Sequence, residues 1–230
     1  IQNKYKVNLR SISKTTIYYW ICGDDGVLLR VRKHDFKIDR IEVDCNCPRN
    51  LITTDLKSIS FFNDQKGVAV GELNTILITS NGGYSWQRLR LADFDSYYYN
   101  KTIYTDLNKF YVAGNAGVFL EFFEGLSGWS VNKLRISRFI DDEDEYLLVD
   151  NIRDIRQFAT SAWNPTFSYT TQSTTNPKDL IVLTCDFNKV FVYDRGKSIP
   201  NFDFVYLDLD SQDYGDINAI TPITGSSSFL

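Results

Sequence analysis

The sequence predicts an all-β fold. Three observations carry the prediction: a unit that recurs every ~45 residues, two short apolar runs joined by a polar turn inside each unit, and no window with an apolar stripe at helical spacing. Four short strands repeated at that period describe the blades of a β-propeller, here four blades and the opening of a fifth. The expected blades run over about 1–52, 53–94, 95–146, 147–212 and 213–230.

The repeat is plainest at its start. Asn8-Leu9-Arg10-Ser11-Ile12-Ser13 returns 47 positions later (55 − 8) as Asp55-Leu56-Lys57-Ser58-Ile59-Ser60. An apolar run ending in Gly23 or Gly71 then follows. The third copy is looser, Thr102-Ile103-Tyr104 and then Tyr111-Val112-Ala113-Gly114, with Ile103 in the place of Ile12 and Ile59. A fourth pairs Asn151–Ile155 with a run ending in Cys185, and a fifth opens at Asp216–Ile220. After the Gly or Cys comes a polar turn such as Asp24-Asp25-Gly26 or Asn115-Ala116-Gly117, then a second apolar run, which is a hairpin signal. A fourth run closes the unit, clearest where Trp86, Arg88 and Arg90 alternate with Gln87, Leu89 and Leu91. The stretch Ser161–Asn176 carries Pro165 and no charge and is expected to be a loop inserted between strands.

Composition narrows the function classes. The 230 residues are 43% hydrophobic and 15% aromatic, enough for a sizeable core. A net charge of -4 and a sequence pI near 5.1 argue against nucleic acid as a partner. No apolar run approaches the ~18 residues of a membrane helix, so direct membrane insertion is not expected. With one histidine, His34, multi-histidine metal sites are excluded. Cys22 and Cys185 end apolar runs and read as buried thiols. Cys45-Asn46-Cys47 has no second pair beside it, which is short of a zinc signal, and its redox state is open. No cofactor is expected.

One motif is specific. Thr79-Ser80-Asn81-Gly82-Gly83-Tyr84-Ser85-Trp86 resembles the Asp-box, or BNR repeat, with Asn81 in place of the usual Asp. Thr79, Asn81, Gly83, Ser85 and Trp86 are its structural residues. With the Gly-Val-Ala-Val-Gly before it, the second unit resembles a blade of the Ycf48-like and sortilin-like propellers. The resemblance is strong over residues 55–91 and dilute elsewhere. It implies the fold, and a box at the turn between third and fourth strands, away from the functional face. It does not imply activity. Sialidases share fold and box, but the Arg-Ile-Pro segment they carry does not occur here, and no catalytic residue is assigned.

The candidates for contact are basic and aromatic. Arg30 and Arg32, Arg88 and Arg90, and Lys133 and Arg135 each come late in a unit. On equivalent strands they form a positive stripe; the alternative is ordinary charge on outer strands, where it deters edge pairing. Ycf48-like proteins carry an Arg-rich patch that engages a partner, so the stripe fits what the resemblance implies. Tyr97, Tyr98 and Tyr99 cannot all be buried on one side of a strand, so at least one is expected at the surface. The acidic run Asp141–Glu145 reads as a solvated loop.

The expected function is a non-catalytic interaction or scaffold propeller within a larger protein or assembly, completed by further chain or by a protein partner. A wealth of Ile, Asn, Tyr and Phe suggests a phage or viral structural protein as its home. The second reading is a Ycf48-like assembly factor that binds a membrane-protein partner through its Arg side. The third is a glycan-binding or glycosidase BNR protein, for which no residue pattern speaks.

Overall fold

The structure is a computed structural model; it describes residues 6–43, 53–91, 97–134, 137–139, 145–147, 150–160, 178–186 and 190–195. The elements among them are strands, joined by antiparallel pairing into sheets. The chain divides into two compact units, residues 1–135 and 136–230.

The first unit holds three four-stranded sheets. Sheet one is β1 (Leu9–Lys14), β2 (Tyr18–Gly23), β3 (Leu28–Arg32) and β4 (Ile38–Arg40). Sheet two is β5 (Leu56–Phe61), β6 (Gly67–Gly71), β7 (Ile76–Thr79) and β8 (Gln87–Arg88). Sheet three is β9 (Tyr99–Asp106), β10 (Lys109–Gly114), β11 (Phe119–Gly125) and β12 (Gly128–Leu134). Within each, spatial order follows chain order, the meander of a propeller blade.

The second unit contains a hairpin, β13 (Ser137–Phe139) and β14 (Glu145–Leu147), and a sheet of β15 (Ile152–Thr160), β16 (Lys178–Cys185) and β17 (Val190–Asp194). The Cys45–Cys47 pair, the loop Ser161–Asn176 and the fifth repeat lie outside the described residues, as do Arg135 and Asp141–Asp144.

Sheet two explains its own composition. It is sandwiched, so β6 and β7 are buried at every position and read as unbroken apolar runs. Ala69 and Leu77 face sheet one, in a core with Trp20, Leu28, Ile59, Phe61 and Trp86. Val68, Val70, Ile76 and Ile78 face sheet three, in a core with Tyr99, Phe110, Val112, Leu120 and Phe122. Aromatic rings lock the first layer: Trp20 stacks on Phe61 at 5.0 Å and meets Trp86 edge-on at 5.8 Å.

The repeated Ser-x-Ser of the first strands has a specific use. Ser11 and Ser13 Oγ accept the backbone N–H groups of Ile59 and Phe61 in the next sheet, at 3.3 and 2.9 Å. Ser58 and Ser60 accept those of Thr102 and Tyr104 in turn, at 3.2 and 2.9 Å. No ladder joins the first strands of these three sheets, and these hydroxyls satisfy amides that would otherwise be orphaned between blades.

The third repeat sits one residue away from the expected alignment. Val112 pairs with Thr102 as Ala69 pairs with Ile59, so Thr102 holds the place of Ile12 and Ile59, and Ile103 that of Ser13 and Ser60. Thr102 is accordingly buried, its hydroxyl donating to Tyr111 O at 2.8 Å. A one-residue slip exchanges the faces of a strand.

Candidate protein interface

Each sheet has an upper end, where its first strand begins, and a lower end, where that strand stops. The upper end carries the turn between second and third strands. Asp25-Gly26, Leu73-Asn74 and Ala116-Gly117 all have positive φ at both central residues, the tight hairpin turn that matches strand twist. A polar clamp fastens each turn to the chain leading into the same sheet. Asp24 takes Arg10 Nε at 2.7 Å and Asn8 at 2.7 Å. Lys57 bridges Asp55 and Glu72 at 3.1 and 2.9 Å. Asn100 bonds Asn115 at 2.8 Å, and Asp186 takes Asn151 and Arg153. The hydrogen bond from Arg10 holds the Asp24 carboxyl down to about 2.

The fourth strands rise towards this end, and their pairing gives the register of the basic residues. Arg88 pairs with Leu77 and Lys133 with Leu120, equivalent positions of their third strands. The equivalent in sheet one is Leu29, and its partner is Arg40. The row is therefore Arg40, Arg88 and Lys133. Arg30 and Arg32 lie on β3, the third strand, and do not match Arg88 and Arg90. The cause is the Lys33–Lys37 turn, which ends β3 after Arg32 and delays β4 to Ile38. Arg30 is also committed elsewhere: its guanidinium packs over Tyr18 at 5.0 Å and Tyr84 at 5.6 Å and bonds Asp39 at 3.2 Å. Arg32 bonds Asp35 at 3.5 Å, beside exposed His34. Arg40 was legible in one respect: Arg40-Ile41, Arg88-Leu89 and Lys133-Leu134 are the same basic-aliphatic step, and the amides of Ile41 and Leu89 bond Leu28 O and Ile76 O.

Alternation along the fourth strand of sheet two is as the sequence predicts. Trp86 joins the core towards sheet one, while Leu89 and Leu91 pack on the core towards sheet three, leaving Arg88 and Arg90 together. Burial and the charge of Arg90 lower the Arg88 pKa.

The row links to the tyrosines through the Leu73 turn. Arg88 Nη2 donates to Leu73 O at 3.0 Å. Asn74 N–H donates to Tyr97 O at 3.0 Å, and Tyr97 N–H donates to Asn74 Oδ1 at 2.8 Å. Lys133 Nζ donates to the Tyr97 hydroxyl at 3.1 Å and lies over its ring. Tyr97 is half-buried, Tyr98 is 41% exposed, and Tyr99 is fully buried, in the place of Leu9 and Leu56. Tyr99 therefore leaves the surface set, because the first residue of β9 points into the layer between sheets. Leu73 is 55% exposed with φ of 51°, a left-handed conformation unfavourable for a side chain of that kind.

At the lower end, the turn at Thr79–Trp86 is built as its residue types require. Thr79 Oγ1 accepts Gly83 N–H at 2.9 Å, Asn81 Oδ1 accepts Ser85 N–H at 3.0 Å, and Asn81 Nδ2 donates to Ser85 Oγ at 2.8 Å. These bonds close a polar loop that aims Trp86 into the core. Cys22 and Cys185 are buried free thiols, and burial raises the Cys22 pKa to about 12. Among the described residues no group of three His, Cys, Asp or Glu side chains is placed to hold a metal ion.

No family model and no curated protein matches the chain. Among solved structures it is similar to Ycf48 bound to a D1 peptide, at 13% identity and a TM-score of 0.50, over 90% of this chain and 71% of that one. It is also similar to Ycf48 from Cyanidioschyzon merolae, at 12% identity and a TM-score of 0.51, over 94% of this chain and 90% of that one. At such identity the likeness speaks for the fold alone: the chain has a β-propeller fold of four-stranded antiparallel blades.

Proposed function

We propose that this chain is a non-catalytic protein-interaction propeller that receives an acidic segment of a protein partner along Arg40, Arg88, Arg90 and Lys133, with Leu73 and Tyr98 as apolar contacts. One observation carries the reading. An exposed leucine is held in a strained backbone conformation at the tip of a turn whose carbonyl is gripped by Arg88. The hairpin requires that backbone but not a leucine, and an exposed apolar side chain kept at a strained position does nothing for the core; such residues collect where a surface makes contact. Arg88 and Arg90 stand on one face of the fourth strand and concentrate positive charge there, which favours an anionic partner.

A matched Ycf48 structure is bound to a D1 peptide, which supports the assembly-factor form of this reading, with a membrane-protein segment as the partner. The virion-scaffold form rests on composition alone. The glycan form has no residue of this surface to favour it.

The test is an array of acidic, neutral and basic peptides probed with the full chain at low and high salt. Retention of acidic peptides, weakened by salt and by Arg88→Glu with Lys133→Glu, is the expected result. Equal retention of basic peptides, or indifference to both reversals, would overturn the proposal.

A further inference from the structure

The lower end of the first unit holds a second site, independent of the fourth-strand reading. A cleft of about 430 Å3 opens between the β1–β2 turn and the β5–β6 turn, within the size range of small-ligand sites. Lys14, Lys33, Thr16, Phe62, Asn63 and Asp64 are in its wall.

The cleft is already organised. Thr16 N–H donates to Asp64 Oδ1 at 2.6 Å, joining the two turns across the blades. Lys33 Nζ donates to Thr15 O and lies 5.0 Å from the Tyr19 ring centroid. Asn63 Oδ1 accepts the N–H groups of Gln65 and Lys66, both at 2.8 Å, which fixes the side chain and leaves its amide nitrogen as a donor. Phe62 is 43% exposed, with one side of its ring tilted against Tyr104 at 6.0 Å between centroids. Lys14 is exposed and has no acidic partner among the described residues.

Charge selects the ligand. Two ammonium groups and one carboxylate leave the wall with one net positive charge. A monoanion neutralises it. A dianionic phosphate would leave excess negative charge beside Asp64. The Phe62 ring offers an apolar surface next to these donors. We infer that this cleft binds a monoanionic carboxylate carrying an apolar arm, the carboxylate between Lys14 and Lys33 and the arm on Phe62.

The experiment is calorimetric titration of the full chain at low ionic strength and a pH of about 8.5, where inorganic phosphate is a dianion and lysine remains charged, with 3-phenylpropanoate and, separately, with inorganic phosphate. Saturable binding of phenylpropanoate is expected, at least ~10-fold tighter than phosphate. Lys14→Gln, at an exposed position, should weaken phenylpropanoate by ~5-fold or more without moving the melting temperature. Asp64→Asn keeps the acceptor for Thr16 N–H and adds one net positive charge, so phosphate should now bind as well as phenylpropanoate. No saturable binding, equal affinity for both probes in the unaltered chain, or an unchanged affinity in Lys14→Gln would each overturn the inference. Should Asp64→Asn not fold, Lys14→Gln alone decides it.

Discussion

Gly83 lies so close to Trp20 that a Cβ built on it would stand 2.1 Å from the indole, although the two residues belong to different sheets. Gly83 also has φ of 76°. The lower turn of sheet two and the buried indole of sheet one are thus fitted to each other, and a structural turn serves as a spacer between blades.

Gly83→Ala should therefore destabilise twice over, through the left-handed backbone and through the clash, by about 2–4 kcal/mol in sum. Chemical denaturation measures it. Adding Trp20→Leu should recover part of the loss, because the smaller side chain vacates the space the methyl needs. Strict additivity of the two substitutions would show that they do not meet.

Ser58 is 1% exposed and takes the Thr102 amide across the blade interface. Ser58→Ala leaves that amide buried without a partner, which costs about 1–3 kcal/mol. Ser60→Ala should cost less, because Ser60 is only half-buried and water can replace its hydroxyl. Hydrogen exchange of the Thr102 and Tyr104 amides in each variant separates the two cases.

Leu73→Asn should stabilise the chain by about 0.5–1 kcal/mol, since asparagine tolerates the left-handed conformation. The same change removes the apolar tip, so retention of acidic peptides should fall while thermal stability rises. A variant that is more stable and binds equally well would remove Leu73 from the interface.

Acid should weaken the upper end before it unfolds the cores. Asp24 has its pKa lowered to about 2 by the hydrogen bond from Arg10. A depressed carboxylate contributes stability that is fully present above its unfolded value of about 3.9 and is lost as pH falls through the folded value. Melting temperature should drop between about pH 4 and pH 2, and Arg10→Gln should flatten that drop. The Arg10 side chain is 42% exposed, so the effect is small and shrinks further with salt.

The sequence by itself determined the repeat, the four-strand meander and the turn chemistry. These are local: Asp25-Gly26 or Ala116-Gly117 between apolar runs favours a tight hairpin, and Thr79, Asn81 and Ser85 bond one another within seven residues. Alternation also placed Arg88 and Arg90 on one face. Only the tertiary structure decided which residues stand beside them. Arg30 and Arg40 are both basic and both late in the first unit, and local pattern does not separate them. Arg30 is drawn onto Tyr18 and Tyr84, which lie far apart in sequence, and Arg40 inherits the place opposite Leu29 because the Lys33–Lys37 turn shifts the fourth strand. Thr102 replaced Ile103 in the core for a similar reason. Register is a property of paired strands, set where Val112 meets its partner, and a single strand read alone fits either face.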